Sequence, residues 1–313
     1  MHRILVTGAA TWVGGNLVQH LEQRSGVRVF AVDDLEPRIG FDSEFARLGL
    51  DRLDLARHVL DIQPQTVIHL QTVDRSAELG STRAHEETVV GAQALFGAIG
   101  RCAATRRVVV KSDSAFYGSS PRNPSVLGED VEPRGSRDHY QRDLGEMERF
   151  IMEMAKTHDR VEYTVLRLAP ILGARLGNSI SRYLTLPAVP TLLGFDPRMQ
   201  FIAEDDAVRA LVHTIDHGVA GTFNVAAPGQ LYLSRVLRLG LRIPQPLPGR
   251  LFDSALRGLA RFDLRVPEHI VSLLKHGRVM DTTLMTTMLG FAPSLTCRQT
   301  VLTTYGRLGE RAA

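Results

Sequence analysis

Between Ile4 and Gly15 an apolar β-type run stops at Gly8, and an amphipathic helical pattern opens near Gly14. A strand, turn and helix in this order leave backbone N–H groups unbonded at the helix N-terminus, where the dipole favours a phosphate. Gly8 permits the tight turn and Gly14 lets helix and strand approach closely. The turn Gly8-x-x-Thr11-Trp12-Val13-Gly14 is therefore expected to hold a pyrophosphate. Thr11 brings a Cβ and a hydroxyl to that place, which either tightens the loop or exchanges one backbone contact for a hydroxyl contact. Nineteen residues after Gly14, at the end of the apolar run from Val27 to Val32, stands Asp33, whose carboxylate can accept both ribose hydroxyls. A second carboxylate, Asp34, follows and would repel a ribose 2′-phosphate, so the expected cofactor is NAD rather than NADP.

The elements that would position this pocket follow from alternation. The chain has 313 residues, 44% hydrophobic and 23% charged, with a net charge of +3, enough for a Rossmann-sized unit and a smaller one. Lys111, Lys156 and Lys275 are its lysines, the remaining basic side chains being arginines spread along the chain. No basic run with interleaved aromatics points to nucleic acid. Cys102 and Cys297 stand apart in no metal or redox spacing, which suits a reducing cytoplasm. An opening strand at Arg3 leaves no room for a signal peptide, and no apolar stretch reaches spanning length.

Strands are expected at 3–7, 27–32, near 48–53, and at 66–70, 107–112 and 161–168, with helices near 14–24, 54–62, 83–103 and 140–158. That alternation predicts an α/β fold, a Rossmann-type doubly wound parallel sheet. Residues 1–168 form the dinucleotide-binding domain on this reading. Residues 169–313 form mainly a smaller C-terminal substrate domain, with some segments returning to the first. The stretch 118–137, rich in Pro, Ser and Gly, reads as a loop over the site. The run 251–262 is a basic amphipathic helix, read as a lid over the cleft, with a membrane-surface or partner role as the alternative. Asp205 and Asp206 are expected to cap a helix beginning at Ala207.

Several landmarks together resemble the extended short-chain dehydrogenase/reductase superfamily, in its NAD-dependent epimerase/dehydratase family. They are the glycine turn, Asp54-Leu55, the strand Val67-Ile68-His69-Leu70 followed by Gln71-Thr72, and the segment Lys111-Ser112-Asp113-Ser114-Ala115-Phe116-Tyr117-Gly118. Leu166 to Gly173, Phe201 to Ala210, Gly221 to Val225 and Asp281 to Pro293 continue the pattern. The resemblance implies that Asp54 and Leu55 contact the adenine, that Leu70 and Gln71 border the cofactor, and that Arg198 holds the diphosphate of a nucleotide sugar by its guanidinium fork. It also implies a homodimer through the helices near 83–103 and 140–158, and a small-molecule substrate such as a nucleotide sugar.

The resemblance places the reacting hydroxyl at Tyr140, and here the sequence departs from its relatives. A phenol titrates near about 10 and needs a cation beside it to serve as a base near neutrality. The family supplies a lysine four residues on; this chain has Leu144, and none of its six tyrosines has a lysine at that spacing. Tyr163 has Arg167 there, on a strand. At the family's serine position stands Asp113, flanked by Ser112 and Ser114. Tyr140 is then a hydrogen-bond donor or acid, Ser114 orients substrate, Asp113 faces the phenol, and the mechanism is altered. The alternative is a non-catalytic NAD- or ligand-binding sensor or scaffold. Pro170 replaces an asparagine side chain expected to touch the nucleotide sugar. His69 reads as a core histidine, His139 as an exposed one near the cleft, and His85-Glu86-Glu87 as a helix start rather than a metal site. No metal is expected.

Overall fold

The structure, a computed structural model, describes residues 1–49, 54–72, 81–133 and 138–306. Seven strands form one parallel sheet: β1 (His2–Thr7), β2 (Val27–Asp33), β3 (Glu44–Arg47), β4 (Thr66–His69), β5 (Arg107–Asp113), β6 (Glu162–Leu168) and β7 (Gly221–Val225). Their order across the sheet is β7-β6-β5-β4-β1-β2-β3. The chain leaves β1 in one direction through β2 and β3, then returns to the other side of β1 at β4. The crevice for a ligand lies outside the carboxyl ends of β1 and β4, where that order reverses.

Strands buried on both faces explain the near-continuous apolar runs. Along β1, Ile4 and Val6 enter the core on one face while Leu5 enters the other; along β5, Val109 opposes Val108 and Val110 in the same way. The first face is covered by α1 (Trp12–Glu22), whose Leu17, Val18 and Leu21 are buried. The second is covered by α2 (Asp54–Ile62), α3 (Gly91–Arg101) and α4 (His139–Thr157). A third core, built around Tyr183, Phe201, Val236, Leu237, Phe252 and Leu273, lies in the C-terminal part.

Two segments beyond residue 168 belong to the sheet body. Strand β7 pairs with β6, Val225 opposite Leu168. Helix α5 (Glu204–Asp216) packs against α1, its Val208, Ala210 and Leu211 sharing α1's core. The third strand lies at 44–47, ahead of the expected 48–53, whose residues 50–53 fall outside the described ones. Its exposed Glu44 and Arg47 give this edge strand no apolar signature. The first helix begins at Trp12, two residues early, because Thr11 caps it. The helix expected near 83–103 is a short helix Ser81–His85, a π-turn Glu86–Val90, and then α3. Helix α5 starts at Glu204 with Ala203 as its cap, so Asp205 and Asp206 are not caps. Asp206 instead accepts hydrogen bonds from the Ser294 and Leu295 amides and the Ser294 hydroxyl, tying the 294–295 turn to α5. No helix among the described residues is long and apolar enough to cross a membrane.

Candidate functional site

Two regions at the carboxyl edge of the sheet make up the site. The first is the glycine turn. Gly8 has φ +78°, a conformation that favours glycine. A Cβ on Gly14 would collide with the Gly8 carbonyl oxygen and lie 2.8 Å from Ala9 Cα, so helix and strand meet as closely as glycine allows. The Thr11 hydroxyl donates to the Gly8 carbonyl at 2.9 Å and accepts from the Gly14 amide at 3.0 Å. Both of its hydrogen-bonding functions are spent inside the turn, so the extra side chain tightens the loop. The Trp12 and Val13 amides open the helix, where no intrahelical acceptor exists for them. Such a turn fits a pyrophosphate.

Asp33 ends β2 beside this turn and is nearly buried. Its Oδ2 accepts from the Ala10 amide at 2.8 Å and its Oδ1 from the Leu35 amide at 3.1 Å. These bonds fix the carboxylate and leave lone pairs for two ribose hydroxyls. Burial, with Asp34 alongside, pushes its carboxyl up to about 6 despite those amides. Leu70 and Gln71 sit against the turn: a Cβ on Gly8 would lie 3.0 Å from the Gln71 nitrogen. Asp54 starts α2 exposed and pairs with Arg57 at 3.4 Å, while Leu55 is fully buried.

The second region is a cavity of about 150 Å³ lined by Thr72, Lys111, Asp113, Tyr140, Pro170, Asn178, His269 and Arg278, among others. Each arrives by a distinct route. Lys111 and Asp113, two apart on β5, project to one side of the sheet. The Lys111 ammonium donates to the Thr72 hydroxyl at 2.9 Å. Tyr140 is the second residue of α4, whose start is fixed by a capping box between Asp138 and Gln141. Its buried ring packs on the His269 imidazole at 4.7 Å between centroids. One turn on, Leu144 is fully buried in the core beneath α4, with Met147 and Ile151. The position of the absent lysine thus belongs to the core and lines no part of this cavity.

Asp113 Oδ1 accepts from the Ala115 amide at 2.6 Å and from the Ser114 hydroxyl at 3.3 Å. Ser114 is buried and does not line the cavity. Arg198, half-buried, donates to the Ser125 carbonyl at 2.9 Å. It lines a neighbouring cavity of about 650 Å³ with Phe195, Tyr232, Lys275 and Arg278. His139 is exposed and its ring meets Arg142, so it does not enter the site. His69 is wholly buried, bonded to the Thr7 hydroxyl at 2.8 Å, and burial pushes its imidazole down to about 3, keeping it neutral. His85 bonds Asp143 at 2.8 Å, tying the Ser81–His85 helix to α4. The helix Gly249–Gly258 buries Phe252 and Leu256 in the third core. It lines another cavity, of about 580 Å³, with Asp138 and Gln141 at the start of α4.

Beneath the second region lies a buried network. Arg167 Nη2 meets Glu148 Oε2 at 2.7 Å, both side chains sealed from solvent. Glu148 also accepts from the Ser112 hydroxyl at 2.5 Å, and Arg167 donates to the Tyr117 hydroxyl at 2.7 Å while stacking on Phe116 at 3.6 Å. Strands β5 and β6, helix α4 and the Ser114–Tyr117 turn are thereby locked together under Asp113 and Tyr140. The sequence did not single out Lys111, Asn178, His269 or Arg278 as members of the site. Lys111 was readable only as part of a serine-rich segment, although its i, i+2 relation to Asp113 puts both on one face. Arg278 had no local signal at all.

The model of the NAD dependent epimerase/dehydratase family matches residues 4–226. The uncharacterized protein Rv0501 of Mycobacterium tuberculosis is 36% identical over 305 residues, covering 94% of this chain and 80% of that protein. Among solved structures, MoeE5 in complex with UDP-glucuronic acid and NAD superposes with a TM-score of 0.76 at 23% identity, covering 97% of this chain and 98% of the other. The UDP-glucose 4-epimerase of Thermotoga maritima, solved with UDP-glucose, gives a TM-score of 0.74 at 19% identity, covering 97% and 98%.

Proposed function

The chain belongs to the NAD dependent epimerase/dehydratase family, and from that premise we propose that it binds NAD at the glycine turn and acts on a nucleotide sugar by a mechanism altered around Tyr140. The observation that carries this reading is the cavity that gathers Tyr140, Lys111, Asp113 and Arg278 at the carboxyl edge of the sheet, beside a turn built for a pyrophosphate. The Trp12 and Val13 amides would hold the pyrophosphate, Asp33 the adenine-side ribose, and Leu70 and Gln71 the adjoining wall. NAD would supply a hydride acceptor there. Tyr140 Oη exchanges a proton with a sugar hydroxyl, Asp113 accepts a hydrogen bond from the sugar, and Arg198 meets the diphosphate in the larger cavity. A homodimer through the helical stretches near 83–103 and 140–158, and a cytoplasmic location, belong to the same proposal.

A second reading, a ligand-binding sensor without turnover, is favoured by one observation: one turn after Tyr140 the position of the usual lysine is Leu144, packed into the core. Incubation with NAD and a panel of UDP- and dTDP-sugars separates the two. Conversion that depends on NAD and is lost in Tyr140→Phe supports the enzyme; binding without conversion across the panel supports the sensor.

A further inference from the structure

We propose that Arg278, delivered by the C-terminal segment, is the positioning cation of the Tyr140 phenol and takes the part of the lysine absent from α4. The inference rests on the proposed function for its chemistry. Arg278 lines the cavity with Tyr140 and Asp113, and only 2% of its side chain is exposed. Its nitrogens Nε, Nη1 and Nη2 find no hydrogen-bond acceptor among the described residues. The nearest carboxylate contact is Asp113 Oδ1, 4.0 Å from Nη2, at the limit of an ion pair. A buried guanidinium so poorly satisfied is costly, and structures keep such groups where a ligand or reacting group completes them. Burial pulls its affinity for the proton down, with Asp113, Asp138, Tyr140 and Tyr117 acting against that burial, and a guanidinium is the side chain that keeps its proton in such a place.

The segment is built to hold this side chain in place. Gly277 has φ +73°, and a Cβ there would lie 2.5 Å from the Arg198 carbonyl oxygen. The Arg278 amide donates to that same carbonyl at 3.0 Å, and Met280 bridges to Leu127. Among the described residues, Lys111 and Asp113 from β5, His269 from the helix Glu268–His276 and Arg278 line the cavity with the phenol, and Asp138 before α4 acts on Arg278. Arg278 is the group of this set whose charge lacks hydrogen-bonded compensation. On this reading a sugar hydroxyl undergoing oxidation would give its O–H proton to the ionised Tyr140 Oη, while bound NAD would supply the acceptor for the C–H hydride, leaving a ketone. Arg278 gives up no proton; it favours the ionised phenol that must receive one.

The test reads Tyr140 directly, by ultraviolet difference titration of the full chain against Tyr140→Phe. Arg278→Met is expected to raise the midpoint by about 1–3 pH units, the effect of removing an opposite charge at close range, and Arg278→Lys to restore most of it. In turnover, kcat falls with its acidic limb moved up in pH while KM stays. If Arg278→Met does not fold, as judged by its melting curve, Arg278→Gln removes the charge and keeps the donors. An unchanged midpoint in a folded neutral variant overturns the proposal, as does a loss confined to KM. Should the wild type convert no nucleotide sugar, the proposed function fails while the titration still decides the role of Arg278.

Discussion

Removing the Glu148 carboxylate should be the most damaging single change in the sheet body. Glu148 has no exposed surface and holds the equally buried Arg167 through Oε2 at 2.7 and 3.0 Å, while its Oε1 accepts from the Ser112 hydroxyl. In Glu148→Ala the guanidinium keeps Tyr117, the Glu129 carbonyl and the Phe116 face, but loses its counter-charge. Breaking a buried pair from one side costs about 3–5 kcal/mol, because the surviving charge is left uncompensated. Against a total stability of about 5–15 kcal/mol that is a large share. At roughly 2 °C per kcal/mol for a chain of this size, the melting temperature should fall by about 6–10 °C. Glu148→Gln, which preserves shape and one acceptor, should lose less. Thermal melts followed by circular dichroism measure this, and a double-mutant cycle with Arg167→Met isolates the coupling. A melting temperature within about 2 °C of wild type for Glu148→Ala would refute the reasoning that this pair locks β5, β6 and α4.

Other consequences can be checked as simply. Gly14→Ala should remove NAD binding in calorimetric titration, since its Cβ collides with the Gly8 carbonyl and must push α1 from the turn; wild-type affinity would contradict the close approach. NAD affinity should be full above pH 6 and fall below it, because Asp33, pushed up to about 6 by burial, loses an acceptor when protonated; an affinity flat from pH 5 to pH 8 would contradict its ribose role. By the same shift, ionised Asp33 costs stability above pH 6, and that cost is relieved as the pH falls from there toward the ordinary 3.8. Leu144→Lys should lower the melting temperature without raising turnover, because it places an ammonium among Met147 and Ile151 and loses about 1.5–3 kcal/mol of leucine burial; a gain in activity would show that the position opens on the cavity.

Much of the fold was legible because its signals are local. A glycine turn between an apolar run and an amphipathic one needs only a dozen residues, and Gly8, Gly14 and Asp33 lie as that pattern requires. Edge strand β3 escaped because Glu44 and Arg47 are exposed and carry no alternation. The fate of Thr11 turned on whether its hydroxyl faced outward or into the turn, which only coordinates resolve. The spacing of Tyr140 and Leu144 shows that no lysine stands one turn after the phenol on α4. It could not show that Lys111 from β5 and Arg278 from beyond the last sheet strand enter the same cavity. The Ser114 hydroxyl, expected to orient substrate, bonds Asp113 at 3.3 Å, and Ser114 does not line the cavity.

The central claim is that the turn at Gly8–Gly14 with Asp33 forms an NAD site. Competitive calorimetric titration of the two dinucleotides tests it most directly. The account predicts saturable binding of NAD, at least about tenfold tighter than NADP because Asp33 and Asp34 oppose a 2′-phosphate. Equal affinity for the two, or no binding of either by the folded chain, would contradict it.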